Sequence, residues 1–242
     1  TEMKAAYHSQ GPCLTDVRFN GHYGSMREVE VQSDVSTLRT DDYARTFLKI
    51  RYDFDQALSA EKGWLFKMGR TGNSISPNVA YGHRGGLLED VEVPLTLKAG
   101  EALFNRKTLE GAAPWWVGFP GGYLTGNRDW GTGSRALIIR SYKASFGGVR
   151  YDRPSMSAPV LKADPNAGIN LDLLLTAPEG VSAYQAGDYV EMDVEFITFH
   201  RTEDDYYGPN EIYRKHLVEH PNSWKTIYRE ASGNDLDVQV EG

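Results

Sequence analysis

The chain has 242 residues, with 26 Lys and Arg against 33 Asp and Glu and a formal net charge of −7. That length allows one large domain or two small ones at roughly 100–200 residues each, and 40% hydrophobic with 24% charged residues suffices for a real core. A pI near 5.4 leaves no positive excess to gather phosphates, against nucleic-acid or anionic-membrane binding, and no apolar run nears the roughly 18 residues of a membrane span.

Cys13 is the only cysteine, which excludes an intrachain disulfide and a cysteine-built zinc site. Thr1-Glu2-Met3-Lys4 has none of the regions of a signal peptide, so such a segment is expected to be removed or to lie outside this stretch. No Asn-x-Ser/Thr sequon occurs, which favours a bacterial origin over a eukaryotic secretory one. The end, 235–242, alternates polar and apolar residues as a strand does. The chain therefore reads as a single domain over 1–242, a module excised from a longer protein.

In chain order, the dominant period is two. Glu28-Val-Glu-Val-Gln32 alternates charged and apolar residues. Leu48, Ile50, Tyr52 and Phe54 share one face of the next strand, and Lys49, Arg51 and Asp53 the other. Trp64–Met68, Val91–Val93, Leu137–Tyr142 and Leu171–Thr176 read as further strands. Val190, Met192, Val194 and Phe196 against Glu191, Asp193 and Glu195 is the clearest alternation, with the acids as its wet face. The connectors carry Gly and Pro, as at Gly69–Gly72, Gly85-Gly86 and Ala177–Gly180. At least seven short strands with such turns predict an all-β, antiparallel two-sheet sandwich.

One helix is expected, from Asn210 as N-cap to Pro221 as stop, with Ile212, Tyr213, His216, Leu217 and His220 on one arc. His216-Leu-Val-Glu-His220 matches an inverted zinc-protease pattern. Such a site needs a third ligand well downstream, where only Glu230 and Glu241 remain, so packed histidines are the better reading.

Residues 111–133 hold Trp115, Trp116, Trp130, Phe119, Tyr123 and seven Gly, a density that marks loops. Large aromatics on such a loop either plug down or stay open as a stacking platform for the apolar C–H faces of sugar rings, each contact worth about 1 kcal/mol. Trp115, Trp116 and Trp130 are the candidate stacking residues, with Tyr123 and Arg128 supplying polar contacts and one of Trp115 and Trp116 buried.

A second candidate is Tyr81-Gly-His83-Arg84. Tyr81 or His83 as base beside Arg84 is what a polysaccharide lyase needs to take the proton α to a uronate carboxylate and to neutralise the enolate. No pair of carboxylates stands out for glycoside hydrolysis, because Asp41-Asp42 and Asp204-Asp205 read as turns. There is no Gly-x-Ser-x-Gly elbow, phosphate loop or Gly-x-Gly-x-x-Gly turn. No cofactor is demanded. Asp164-Pro165-Asn166 either contributes to a structural calcium or is an ordinary turn.

The stretch Ala186–Ile197, then Asp205-Tyr-Tyr-Gly-Pro-Asn-Glu211, Trp224, Tyr228–Ala231 and Gly233-Asn234, resembles the supersandwich, galactose-mutarotase-like domains of bacterial polysaccharide-degrading proteins. The resemblance covers roughly the last ~60 residues. It implies a large two-sheet domain in, or attached to, a carbohydrate-active enzyme. It does not extend to mutarotase activity, since the paired histidines and the glutamate of that chemistry are not matched here. The expected function is a carbohydrate-binding or scaffolding module whose partners are a poly- or oligosaccharide and the neighbouring domains of a parent enzyme. A secreted or periplasmic bacterial setting goes with it. The alternative is a catalytic lyase or glycoside hydrolase.

Overall fold

The computed structural model describes residues 2–11, 14–39, 43–60, 63–70, 78–119, 133–164 and 168–200. Among these the chain is all-β, without a helix, so none there could cross a membrane. The helix expected over 210–220, with His216 and His220, lies outside the described residues. So does most of the stretch that carries the supersandwich resemblance.

The strands are β1 (Glu2–Gln10), β2 (Leu14–Tyr23), β3 (Val29–Arg39), β4 (Tyr43–Phe54), β5 (Leu58–Ser59), β6 (Phe66–Arg70), β7 (Asn78–His83) and β8 (Gly86–Glu92). There follow β9 (Lys107–Thr108), β10 (Trp115–Phe119), β11 (Gly133–Phe146), β12 (Val149–Tyr151), β13 (Ser155–Ser157), β14 (Val160–Asp164), β15 (Gly168–Thr176), β16 (Ala183–Tyr184) and β17 (Tyr189–His200). Ten form one antiparallel sheet in the order β1-β2-β3-β4-β17-β11-β10-β7-β8, with β12 on β11. A five-stranded sheet runs β14-β15-β13-β9 with β6 on β15, and β5 pairs with β16 as a short ribbon.

The inner face of the large sheet builds the core. Ile50, Phe54, Leu137, Ile139, Val190, Met192 and Val194 pack with Met156, Ile169, Leu171, Leu173 and Leu175 of the smaller sheet in one buried cluster. Alternation explains this, because every second side chain of a strand faces the same layer. Burying a Leu or Ile there stabilises by about 1.5–3 kcal/mol.

The outer face divides in two. Asp16, Ser36, Phe47, Glu195, Ile138, Trp116 and Gly82 stand opposite one another in successive strands, and all are buried. The next row is charged and alternates in sign through Arg18, Asp34, Lys49 and Asp193. Arg18 there donates to Asp34 at 2.5 and 2.8 Å. The expected wet face of β17 is therefore corrected at one position. Glu191 and Asp193 are half-buried, while Glu195 is fully buried against Arg140.

The β11–β12 hairpin turns on Gly147 and Gly148, with φ of 56° and 80°. Two successive positive φ values are what a two-residue hairpin needs, and glycine adopts them without a Cβ penalty. Asp188 secures that end, accepting from the Gly147 N–H at 2.8 Å and the Gln185 N–H at 2.7 Å.

Candidate functional site

The expected platform is not a loop at its start. Trp115–Phe119 is β10, an interior strand between β7 and β11. Trp115 faces the core and Trp116 the outer row, at 3% and 2% exposure. The expectation that one of them stays available is therefore corrected, because both faces of this strand are covered. Trp116 also lies on Gly82, where an added Cβ would come within 2.6 Å of its Cζ2. Tyr123, Arg128 and Trp130 lie outside the described residues.

Tyr81, His83 and Arg84 are neighbours in the chain, and none of them lines either of the two cavities described below. Tyr81 is buried, its phenol hydrogen-bonds to Glu89, and Lys107 Nζ sits 4.8 Å from its ring centre. Lys107 also pairs with Glu89 at 2.5 Å. His83 accepts from the Gly85 N–H at 3.0 Å and fills the place of a side chain at Gly111. Arg84 is exposed in the β7–β8 turn. Asn166 lies outside the described residues, and among those described no group of three or more His, Cys, Asp or Glu is placed to hold a metal.

Among the described residues, an aromatic groove lies elsewhere. At the end of the large sheet where β2 and β4 leave and β3 enters, Tyr23, Val29 and Phe54 stand side by side, with Tyr52 in the next inner row. These make one wall of a cavity of about 380 Å³. The β5–β16 ribbon supplies Leu58, Ser59 and Tyr184, and Gly63-Trp64-Leu65 completes it. The ribbon is fastened by the Ala60 N–H to Ser182 O at 2.9 Å, and the second segment by the Leu65 N–H to Leu175 O at 2.7 Å.

Trp64 and Tyr23 keep the groove open, at 55% and 47% exposure. Lys67 Nζ lies 5.5 Å from the Trp64 ring centre and is itself held by Asp172 at 2.6 Å. A cation over one face of an indole orients the ring. Behind them, Tyr184 stacks on Phe54 with centroids 4.2 Å apart and planes at 22°, and tilts against Phe146 at 5.4 Å. Burial pushes the Tyr52 phenol well up, aided by neighbouring Tyr23 and Tyr184. Burial likewise takes Tyr184 to about 12, with Arg106 pulling the other way. Both phenols are therefore neutral in ordinary buffers.

A second, shallow depression of about 480 Å³ is lined by Gly111, Ala112, Ala113, Trp115, Asp152 and Arg153. Arg153 is turned to Glu110 there. Trp115 is the one aromatic residue among its described lining residues, and it is buried.

The groove went unseen in the sequence because its rings come from separate stretches of chain. Only the β2–β3–β4 register and the β5–β16 pairing bring them together. The buried outer row did leave a signal. Ala136–Ile139 and Trp115–Val117 are apolar without alternation, the mark of strands covered on both sides.

No family model matches the chain, and no curated protein matches it. Among solved structures it is similar to the galactosidase domain of alpha-galactosidase-sucrose kinase, with 12% identity and a TM-score of 0.41 over 83% of this chain and 27% of that chain. It is also similar to a galactose mutarotase related enzyme from Lactobacillus acidophilus, with 8% identity and a TM-score of 0.38 over 83% of this chain and 72% of that chain. The chain thus spans about a quarter of the length of the first of these proteins.

Proposed function

We propose that this chain is a carbohydrate-binding β-sandwich module of a larger, bacterial, secreted or periplasmic polysaccharide-degrading protein, and that the Trp64 groove is its binding site. The observation that carries this reading is the combination of a half-exposed indole, the exposed Tyr23 ring and the partly buried Tyr52 ring in a cavity of about 380 Å³. Pyranose rings present C–H faces to aromatic planes, and a few placed hydroxyls orient them. At about 1 kcal/mol per ring contact with hydrogen bonds added, millimolar affinity, about 4 kcal/mol, is within reach. The likeness of 186–234 to supersandwich domains supports the same setting from the sequence side.

The lyase or hydrolase reading on Tyr81, His83 and Arg84 is less well supported. The Tyr81 phenol is already engaged by Glu89, and the three side chains line neither groove.

The test is titration with a panel of oligosaccharides while following Trp fluorescence, in the native chain and in Trp64→Ala. A saturable shift in the native chain, lost in Trp64→Ala with stability changed by less than about 1 kcal/mol, is expected. The reading fails if no glycan produces a shift at millimolar sugar.

A further inference from the structure

We infer that the Trp64 groove selects an uncharged saccharide and discriminates against uronates and sulfated sugars. The inference rests on the function proposed above and adds the substrate class.

Among the described residues, not one side chain lining the groove is charged. Its side-chain polar groups are the hydroxyls of Tyr23, Tyr52, Ser59 and Tyr184 and the indole N–H of Trp64. The Tyr23 and Tyr52 side chains line the groove, while their backbones pair in the β2–β3, β3–β4 and β4–β17 ladders. Neutral hydroxyls both donate to and accept from sugar hydroxyls, and a phenol adds a ring face for the C–H side.

Among the described residues, the cations near the groove are directed at the protein. Lys67 donates to Asp172 at 2.6 Å. Arg106 donates to Val181 O at 2.7 Å and Ala60 O at 2.9 Å, the carbonyls that frame the β5–β16 ribbon. Arg27, in the β2–β3 turn, is 3.0 Å from His22 Nδ1. Glu28 and Asp55 directly adjoin Val29 and Phe54 in the chain and add negative charge at the same end. A carboxylate or sulfate entering here gives up hydration and meets no counter-charge on the described residues that line the groove, the costly way to bury an ion. An uncharged sugar loses only hydroxyl hydration, which the phenols replace. The overall charge of −7 acts in the same direction at longer range.

The experiment is calorimetric titration of the whole chain with neutral oligosaccharides and with uronate and sulfated oligosaccharides of equal length, in about 0.1 M and about 1 M salt. The neutral series is expected to bind, with affinity unchanged by salt, and the anionic series at least about tenfold more weakly. Tyr52→Phe, which keeps the ring, should weaken neutral sugars about 5–10-fold, the effect of one neutral hydrogen bond, with an unchanged melting temperature. An anionic sugar that binds as tightly as a neutral one, or affinity that falls steeply with salt, overturns the inference even if Trp64→Ala still abolishes binding. Failure of every sugar to bind would instead remove the proposed function itself.

Discussion

Arg140 donates from Nε and Nη2 to the same Glu195 oxygen, at 3.0 and 2.6 Å, with both side chains withdrawn from water. The pair joins β11 to β17 on the outer face of the large sheet, beside Phe47 and Ile138. Arg140 is an inserted residue there, since Ile139 faces Val194 and Ser141 faces Asp193. A bulge of this kind re-aims a side chain, and here it sets a guanidinium against Glu195.

Removing one partner of a buried pair is expected to hurt more than removing both. Glu195→Ala takes the carboxylate from a buried guanidinium and should lower stability by about 3–5 kcal/mol, read by denaturant titration. The double variant Arg140→Met with Glu195→Leu keeps volume without charge and should lose clearly less than the single change. Equal losses would show that the outer row depends on packing alone.

Gly82 is required by Trp116. A methyl at this position would meet the Gly86 carbonyl oxygen at 2.3 Å as well as the indole at 2.6 Å. Neither neighbour is the free end of a flexible side chain. Gly82→Ala should therefore cost at least about 1–3 kcal/mol from overpacking. Pairing it with Trp116→Leu should return part of that loss, whereas strict additivity in a double-mutant cycle would contradict the contact.

Alkaline pH should destabilise the protein through its buried phenols. Burial raises the pKa of Tyr52, Tyr142 and Tyr184, the last to about 12 against an ordinary value near 10. The neutral form is favoured in the folded state, so the contribution is fully present below pH 10 and is lost as the pH rises through the folded values. For Tyr184 alone it amounts to about 3 kcal/mol. Melting temperatures should fall steeply above pH 10, together with the appearance of tyrosinate absorbance. The Tyr142 hydroxyl is buried with no hydrogen-bond partner among the described residues. Tyr142→Phe should thus be neutral or stabilising by up to about 1 kcal/mol at pH 7, and should shallow the alkaline loss. A Tyr142→Phe variant less stable by more than about 1 kcal/mol would reveal an unrecognised partner for that hydroxyl.

The architecture was legible where side chains alternate. In β4, Leu48, Ile50, Tyr52 and Phe54 do face the core side, opposite Lys49 and Arg51. In β17 the apolar set is inward as read. What alternation cannot report is whether the other side is wet, and this accounts for the error at Glu195. The same limit applied to the aromatics. Glycine-rich surroundings suggested that one of Trp115 and Trp116 stays open, yet Trp115 packs into the core and the buried outer row holds Trp116.

The order of apolar and polar residues, by itself, determined that this chain forms extended strands and which side chains share a face, because neighbours along a strand point opposite ways whatever surrounds them. Tertiary structure alone decided which faces are covered and which rings remain open. Burial depends on the layer packed against a strand and on the register that aligns distant segments. Thus Tyr23, Tyr52 and Trp64, far apart in the chain, line one groove, while Trp115 and Trp116, adjacent in it, are sealed on opposite sides of a sheet.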